Sequence, residues 1–144
     1  MHQQNRTEPN SILALDVGDR RIGVAISNLQ ARIASPLTTL ARSESTPADI
    51  DALATEYHAR ALVVGLPRGL DGQHTAQTAS VEAFKNELEH KLSLPLYWQD
   101  EAVTSIRAED ELRARGKPYR KEDVDALSAT YILEDFMRDH PESL

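Results

Sequence analysis

Short apolar runs broken by polar turns occupy the first forty residues, and beyond them the hydrophobic period lengthens to that of helices. Residues Ser11 to Asp16 form an apolar run that ends in a carboxylate, as expected of a buried strand. Gly18, Asp19 and Arg20 read as a turn, and Ile22, Val24 and Ile26 then alternate through Arg21 to Ser27, predicting a second strand hairpinned to the first. A third strand is expected from Arg32 to Leu40, with Pro36 placing it at an edge or bulge. Thr46 then reads as an N-cap and Pro47 as the first helical residue, followed by Ile50, Leu53, Ala54 and Tyr57 at helical spacing. The continuous run Ala61 to Gly65 predicts a strand covered on both faces, and the Gly and Pro residues of Gly65 to Gly72 predict a loop. Val81, Phe84, Leu88 and Leu92 mark a second helix, and Pro95 to Trp98 a fifth strand running out at Gln99, Asp100 and Glu101. Two helices follow, about Thr104 to Arg115, stopped by Gly116 and Pro118, and about Lys121 to Met137. The order β-β-β-α-β-α-β-α-α predicts an α/β fold, a mixed five-stranded sheet with helices on both faces. Residues 11–138 form the single expected domain, with poorly ordered tails at 1–10 and 139–144.

Composition narrows the chemistry. The 144 residues contain no cysteine, which removes a disulfide scaffold, a thiolate zinc site and a cysteine nucleophile together. No apolar run approaches the roughly 18 residues of a membrane span, so a cytoplasmic protein is expected. The net charge of −7 argues against coating nucleic acid by bulk charge. Its distribution changes the picture, because Arg113 to Lys121 holds five basic residues and no acidic one. Such a segment is either a docking element for an anion or a solvated loop. Within it, Tyr119 could stack on an unpaired base while Lys117, Arg120 and Lys121 hold phosphates.

Three carboxylates fall where chemistry in such a sheet is usually found. Asp16 ends the first strand, Glu101 follows the fifth, and Asp125 lies in the first turns of the last helix. With the first strand central, the fourth beside it and the fifth beyond, Asp16 and Glu101 emerge at one edge. At about 100° per residue, Asp125 shares a side with Ala129, Ile132 and Phe136, whereas Asp123 lies opposite with Thr130 and Glu134. Converging inward carboxylates suggest one or two Mg²⁺ or Mn²⁺ ions, since an uncompensated buried charge is costly and these ions take oxygen ligands. The plainer alternative is that Asp16 pairs with Arg20 or Arg21 while Glu101 and Asp125 favour helix N-termini. Gly18 at the hairpin would let a phosphate approach the main chain. Arg20 and Arg21 are nearby cations, and Thr104 caps a helix whose N-terminus favours an anion. The five histidines show no metal-ligand spacing, and only His74 is expected near this cleft.

The segment Leu13-Ala-Leu-Asp-Val-Gly-Asp-Arg-Arg-Ile-Gly-Val-Ala-Ile-Ser27 resembles the N-terminal signature of the YqgF (RuvX) family of Holliday-junction-resolvase-like proteins, also described as pre-16S rRNA nucleases. Val63 to Gly72, Asp100 to Ser105 and Lys121 to Ala129 match further segments in order. The resemblance implies an RNase H-like fold and carries the family's acidic positions onto Asp16, Glu101 and Asp125. Two positions depart: Asn28 stands where the family usually has Asp, and Ala102 replaces an Arg that often follows the Asp-Glu pair. An actin-like ATPase, which also uses a D-x-G turn, would need a second domain that 144 residues cannot hold.

These readings together predict a metal-dependent endonuclease acting on structured nucleic acid, with pre-16S rRNA preferred over branched DNA. The alternatives are a Holliday junction resolvase, or a non-catalytic RNA-binding module of ribosome maturation or transcription. No apolar stripe is left over after the core is assigned, so a monomer or weak homodimer is expected.

Overall fold

In a computed structural model the chain is described over residues 9–68, 72–101 and 104–141. Strand β1, Ser11–Val17, alternates strictly: Leu13, Leu15 and Val17 point to one face, Ile12, Ala14 and Asp16 to the other. It pairs antiparallel with β2, Arg21–Asn28, placing Asp16 opposite Gly23, and the turn closes with Gly18 N donating to Arg21 O at 2.9 Å. Strand β3, Ala34–Ala41, pairs antiparallel with β2. The register slips where Val24 faces Thr38 and Ala25 faces Pro36, so the strand is both edge and bulged, as its proline predicts. Strands β4, Ala59–Pro67, and β5, Leu96–Glu101, add in parallel, giving the five-stranded order β3-β2-β1-β4-β5. The carboxyl ends of β1, β4 and β5 therefore share one edge.

Helices α1, Thr46–Glu56, and α2, Ala76–Lys91, cover the face carrying Leu13, Leu15 and Val64, and Trp98 packs at its margin beneath Lys85 Nζ, 4.7 Å from the ring. Helix α4, Lys121–Asp139, covers the opposite face, and α3, Thr104–Ala114, packs on α4 through Ala108, Leu112, Leu127 and Tyr131. The sheet under α4 is lined by small side chains. A Cβ on Gly23 would lie 1.9 Å from the Asp125 carbonyl oxygen, and one on Gly65 2.4 Å from Ile132 Cδ1. With Ala14 and Ala25 alongside, these glycines let the helix approach the strands closely enough to set Asp125 beside the end of β1.

Two local expectations are corrected. Thr46 is not the cap of α1 but its first residue. Its Oγ1 accepts from Ser43 N at 2.7 Å, which closes the turn earlier and leaves Ser45 at the cap, its hydroxyl donating to the Asp49 carboxylate at 3.1 Å and not capping the helix backbone. Thr130 is not on an exposed face: sheet and α3 enclose α4 from more than one side, Thr130 is buried, and its hydroxyl donates to Ala126 O at 2.9 Å. The expected tails fall mostly on residues 1–8 and 142–144, outside the described residues. No described helix is long and apolar enough to cross a membrane.

Candidate active site

A cavity of about 410 Å³ opens at the shared carboxyl edge of β1, β4 and β5. Asp16 and Gly18 line it from β1 and its turn, Glu101 from the end of β5, Thr104 and Ser105 from the start of α3, and Asp125 from α4. The three predicted carboxylates thus meet in one cleft. Each arrives by a separate periodicity. Asp16 continues the Ile12–Ala14 face of its strand, and Glu101 follows Tyr97 and Gln99 on the α4 side of β5, where Tyr97 packs on Phe136 and Gln99 donates to Asp139. Asp125 lies two helical turns before Ile132, which also lines the cleft.

The electrostatics of the three differ. Burial pushes the Asp16 carboxyl up to about 7, and the neighbouring Asp125 adds to the shift. Glu101 is also raised, first by burial and then by a hydrogen bond and like charge from Asp135, with Arg107 and Arg138 opposing. Asp125 is held by Arg21, whose Nε lies 2.5 Å from Oδ2. Arg21 therefore pairs with Asp125 and not with Asp16, and no described hydrogen bond or ion pair compensates the Asp16 carboxylate. One helical turn past Asp125, Ser128 Oγ is buried without a partner among the described residues.

Asp16 and Asp125 offer hard oxygen donors to the cleft, one of them desolvated and uncompensated, a donor chemistry that suits Mg²⁺ or Mn²⁺. Glu101 lines the cleft but is engaged with Asp135, and among the described residues no three acidic or imidazole groups converge as a metal cluster.

The phosphate-contact candidates divide. Gly18 and Thr104 line the cleft, Thr104 as the first residue of α3 and not its cap. Arg21 reaches the cleft through Asp125, and Arg20 is exposed in the hairpin turn. The basic segment is not beside the carboxylates as its place in the sequence suggests. Lys117 and Tyr119 line a second cavity with Arg115, while Arg120 and Lys121 are exposed at the start of α4. Ala102 and Asp71 lie outside the described residues. Asn28 serves a turn away from the cleft, its Oδ1 accepting from Gln30 N at 2.8 Å and Ala31 N at 3.3 Å. His74 pairs with Glu82 and does not line the cavity.

Arg68, Gln77 and Asp135 were not among the residues expected from sequence. Arg68 follows the end of β4, the same kind of position that singled out Asp16, and its Nε lies 3.5 Å from Asp100 while the side chain lines the cleft. Asp135 follows Ile132 along the helix, so the stripe that selected Asp125 also leads to it. Gln77, in the first turn of α2, has no signal in the sequence, since only the packing of that helix brings it to the cleft.

Residues 10–139 match the RuvX family, described as "Holliday junction resolvase". The chain belongs to the RuvX family. Proteins named "Putative pre-16S rRNA nuclease" resemble it along nearly its whole length. One from Chloroflexus aggregans is 45% identical over 131 residues, 88% of this chain and 92% of the relative. Another from Crocosphaera subtropica is 40% identical over 139 residues, 93% and 96% of the two chains. Among solved structures, Thermus thermophilus RuvC superposes with a TM-score of 0.54 at 14% identity, covering 91% of this chain and 96% of RuvC. The fowlpox virus Holliday junction resolvase gives 0.53 at 9% identity, covering 90% and 98%. At such identities the likeness concerns the fold, and the RuvX chain has the RNase H-like architecture of those resolvases. It is a member of a nuclease family.

Proposed function

We propose that this RuvX protein is a divalent-metal-dependent endonuclease of the cytoplasm that hydrolyses phosphodiester bonds in structured nucleic acid, with the 5′ region of pre-16S rRNA as substrate. The observation that carries the proposal is the meeting of Asp16, Glu101 and Asp125 in one cleft, two of them with raised pKa values. The names of relatives up to 45% identical support RNA over branched DNA.

Asp16 and Asp125 would hold one or two Mg²⁺ or Mn²⁺ ions, with Glu101 joining them once it gives up Asp135. A bound ion would supply charge that activates water and stabilises the departing oxygen. The chain's own part is to keep Asp16 desolvated, which strengthens its hold on a cation, while Arg21 occupies Asp125 until a divalent cation displaces it. Gly18 and Thr104 would receive the phosphate, and Arg68, which lines the same cleft, adds a cation on that path. The protein is expected to work as a monomer or weak dimer. Cleavage of a precursor-type RNA stem and of a four-way DNA junction, with and without Mn²⁺, tests the reading. Mn²⁺-dependent cutting of the RNA in preference to the junction is expected; preferential junction cutting would transfer the assignment to a resolvase.

The contact of Glu101 with Asp135 favours a second reading, a non-catalytic RNA-binding module. It predicts RNA affinity indifferent to Mn²⁺ and no cleavage of either substrate.

A further inference from the structure

On the other side of α4 lies a cavity of about 260 Å³, just below the roughly 300–1,000 Å³ of small-molecule pockets, a size suited to one ring system. Leu112 of α3, Ala126 and Leu127 of α4, and Pro36 of β3 supply apolar surface, and half-buried Tyr119 supplies an aromatic one. Arg115 and Lys117 stand on the same walls, and no carboxylate pairs with Lys117, Arg120 or Lys121 among the described residues. The Asp123 carboxylate is fixed in place by Arg120 N at 2.8 Å. Arg115 is paired with Glu111, so the aromatic face and apolar floor are joined by one unpaired cation on the walls, Lys117, and by Arg120 and Lys121 beyond them, which together suit a planar base joined to an anionic backbone.

We infer that this cavity binds one unpaired nucleotide of the strand whose phosphate is engaged in the carboxylate cleft. The inference rests on that cleft reading and adds a requirement for a single-stranded segment in the substrate. Asp123, Ala126 and Leu127 face the cavity while Asp125 and Ile132 face the cleft, nearly opposite around the helix at the same level. The two sites are thus separated by about one helix diameter, 10–12 Å. At about 3.4 Å per nucleotide step, that span is about three stacked nucleotides, fewer if the strand is extended. Exposed Arg120 and Lys121 begin the helix that the strand would cross. A duplex would keep its bases paired and could not fill the cavity.

The test uses the full chain carrying Asp16→Asn, so that substrate is bound and not cut. Fluorescence anisotropy measures affinity for an RNA stem with a six-nucleotide unpaired extension, scanned by single abasic substitutions, and for a DNA strand of the same design. One abasic position is expected to weaken binding about five- to a hundred-fold. Tyr119→Ala should cause a similar loss and make that abasic position neutral, Tyr119→Phe should retain sensitivity, and Lys117→Glu should weaken all ligands alike. Coupling in the RNA arm, the DNA arm or both supports the inference and identifies the sugar. No sensitive position, or losses from Tyr119→Ala and the abasic site that multiply, overturns it. If coupling fails while wild type still cleaves with Mn²⁺, the base site alone is wrong; if cleavage fails while coupling holds, the cleft reading alone is wrong.

Discussion

Replacing Asp16 by Asn should stabilise the metal-free protein, although Asp16 is the residue on which the proposed activity most depends. Burial lifts the carboxyl from 3.8 to about 7. A carboxyl whose folded value is raised lends stability only while the native state keeps its proton, so stability falls as pH rises from about 4 to 7. At about 1.4 kcal/mol per pH unit the full cost would be about 4.5 kcal/mol above pH 7. Asp16 borders an open cleft, and solvent screening should reduce this to about 1–2 kcal/mol. The amide carries no charge, so Asp16→Asn should gain that amount at pH 8 and much less at pH 5. Urea unfolding in EDTA at both pH values measures it. Saturating Mn²⁺ should narrow the gap at pH 8, because an ion that binds only the folded wild type stabilises it. An equal gain at the two pH values, or a loss at pH 8, would refute the desolvation argument.

Gly23→Ala sets a Cβ 1.9 Å from the Asp125 carbonyl, backbone against backbone, and should cost about 3 kcal/mol or more in thermal or urea unfolding. Gly65→Ala meets only the end of Ile132, 2.4 Å away, and should cost about 1–3 kcal/mol, with Ile132→Val recovering part of it. Arg21→Gln removes the cation that competes for Asp125; half-saturating Mn²⁺ for cleavage should fall severalfold, with stability changed by less than about 1 kcal/mol. An unchanged Mn²⁺ dependence would show that Arg21 does not compete for the site. EDTA should stop cleavage and leave the far-ultraviolet circular dichroism intact, because the cores on both sheet faces are hydrophobic and contain no metal ligand.

Period and punctuation made most of this fold legible. Strict alternation in Leu13, Leu15 and Val17 against Ile12, Ala14 and Asp16 set the faces of β1, and the change to helical spacing after Thr46 marked the first crossover. The carboxylates were legible because each sits at a strand end or on a helical stripe, positions that survive without knowledge of the packing. The environment of each was less so. Arg21 and Asp125 are 104 residues apart, and their pairing depends on how closely α4 lies on β2, which Gly23 of that same strand controls. The basic segment shows the same limit, since adjacency to Asp125 in sequence left open which side of α4 its side chains reach. Thr130 was misplaced because a helical wheel allows for one buried face and α4 has more than one.

The most direct test of the central claim is single-turnover cleavage of a precursor-type RNA stem by the full-length chain at saturating Mn²⁺, comparing wild type with Asp16→Asn. The account predicts that wild type cuts and that the variant, folded and at least as stable, cuts about a hundred-fold more slowly or worse. Equal rates for the two proteins would contradict it.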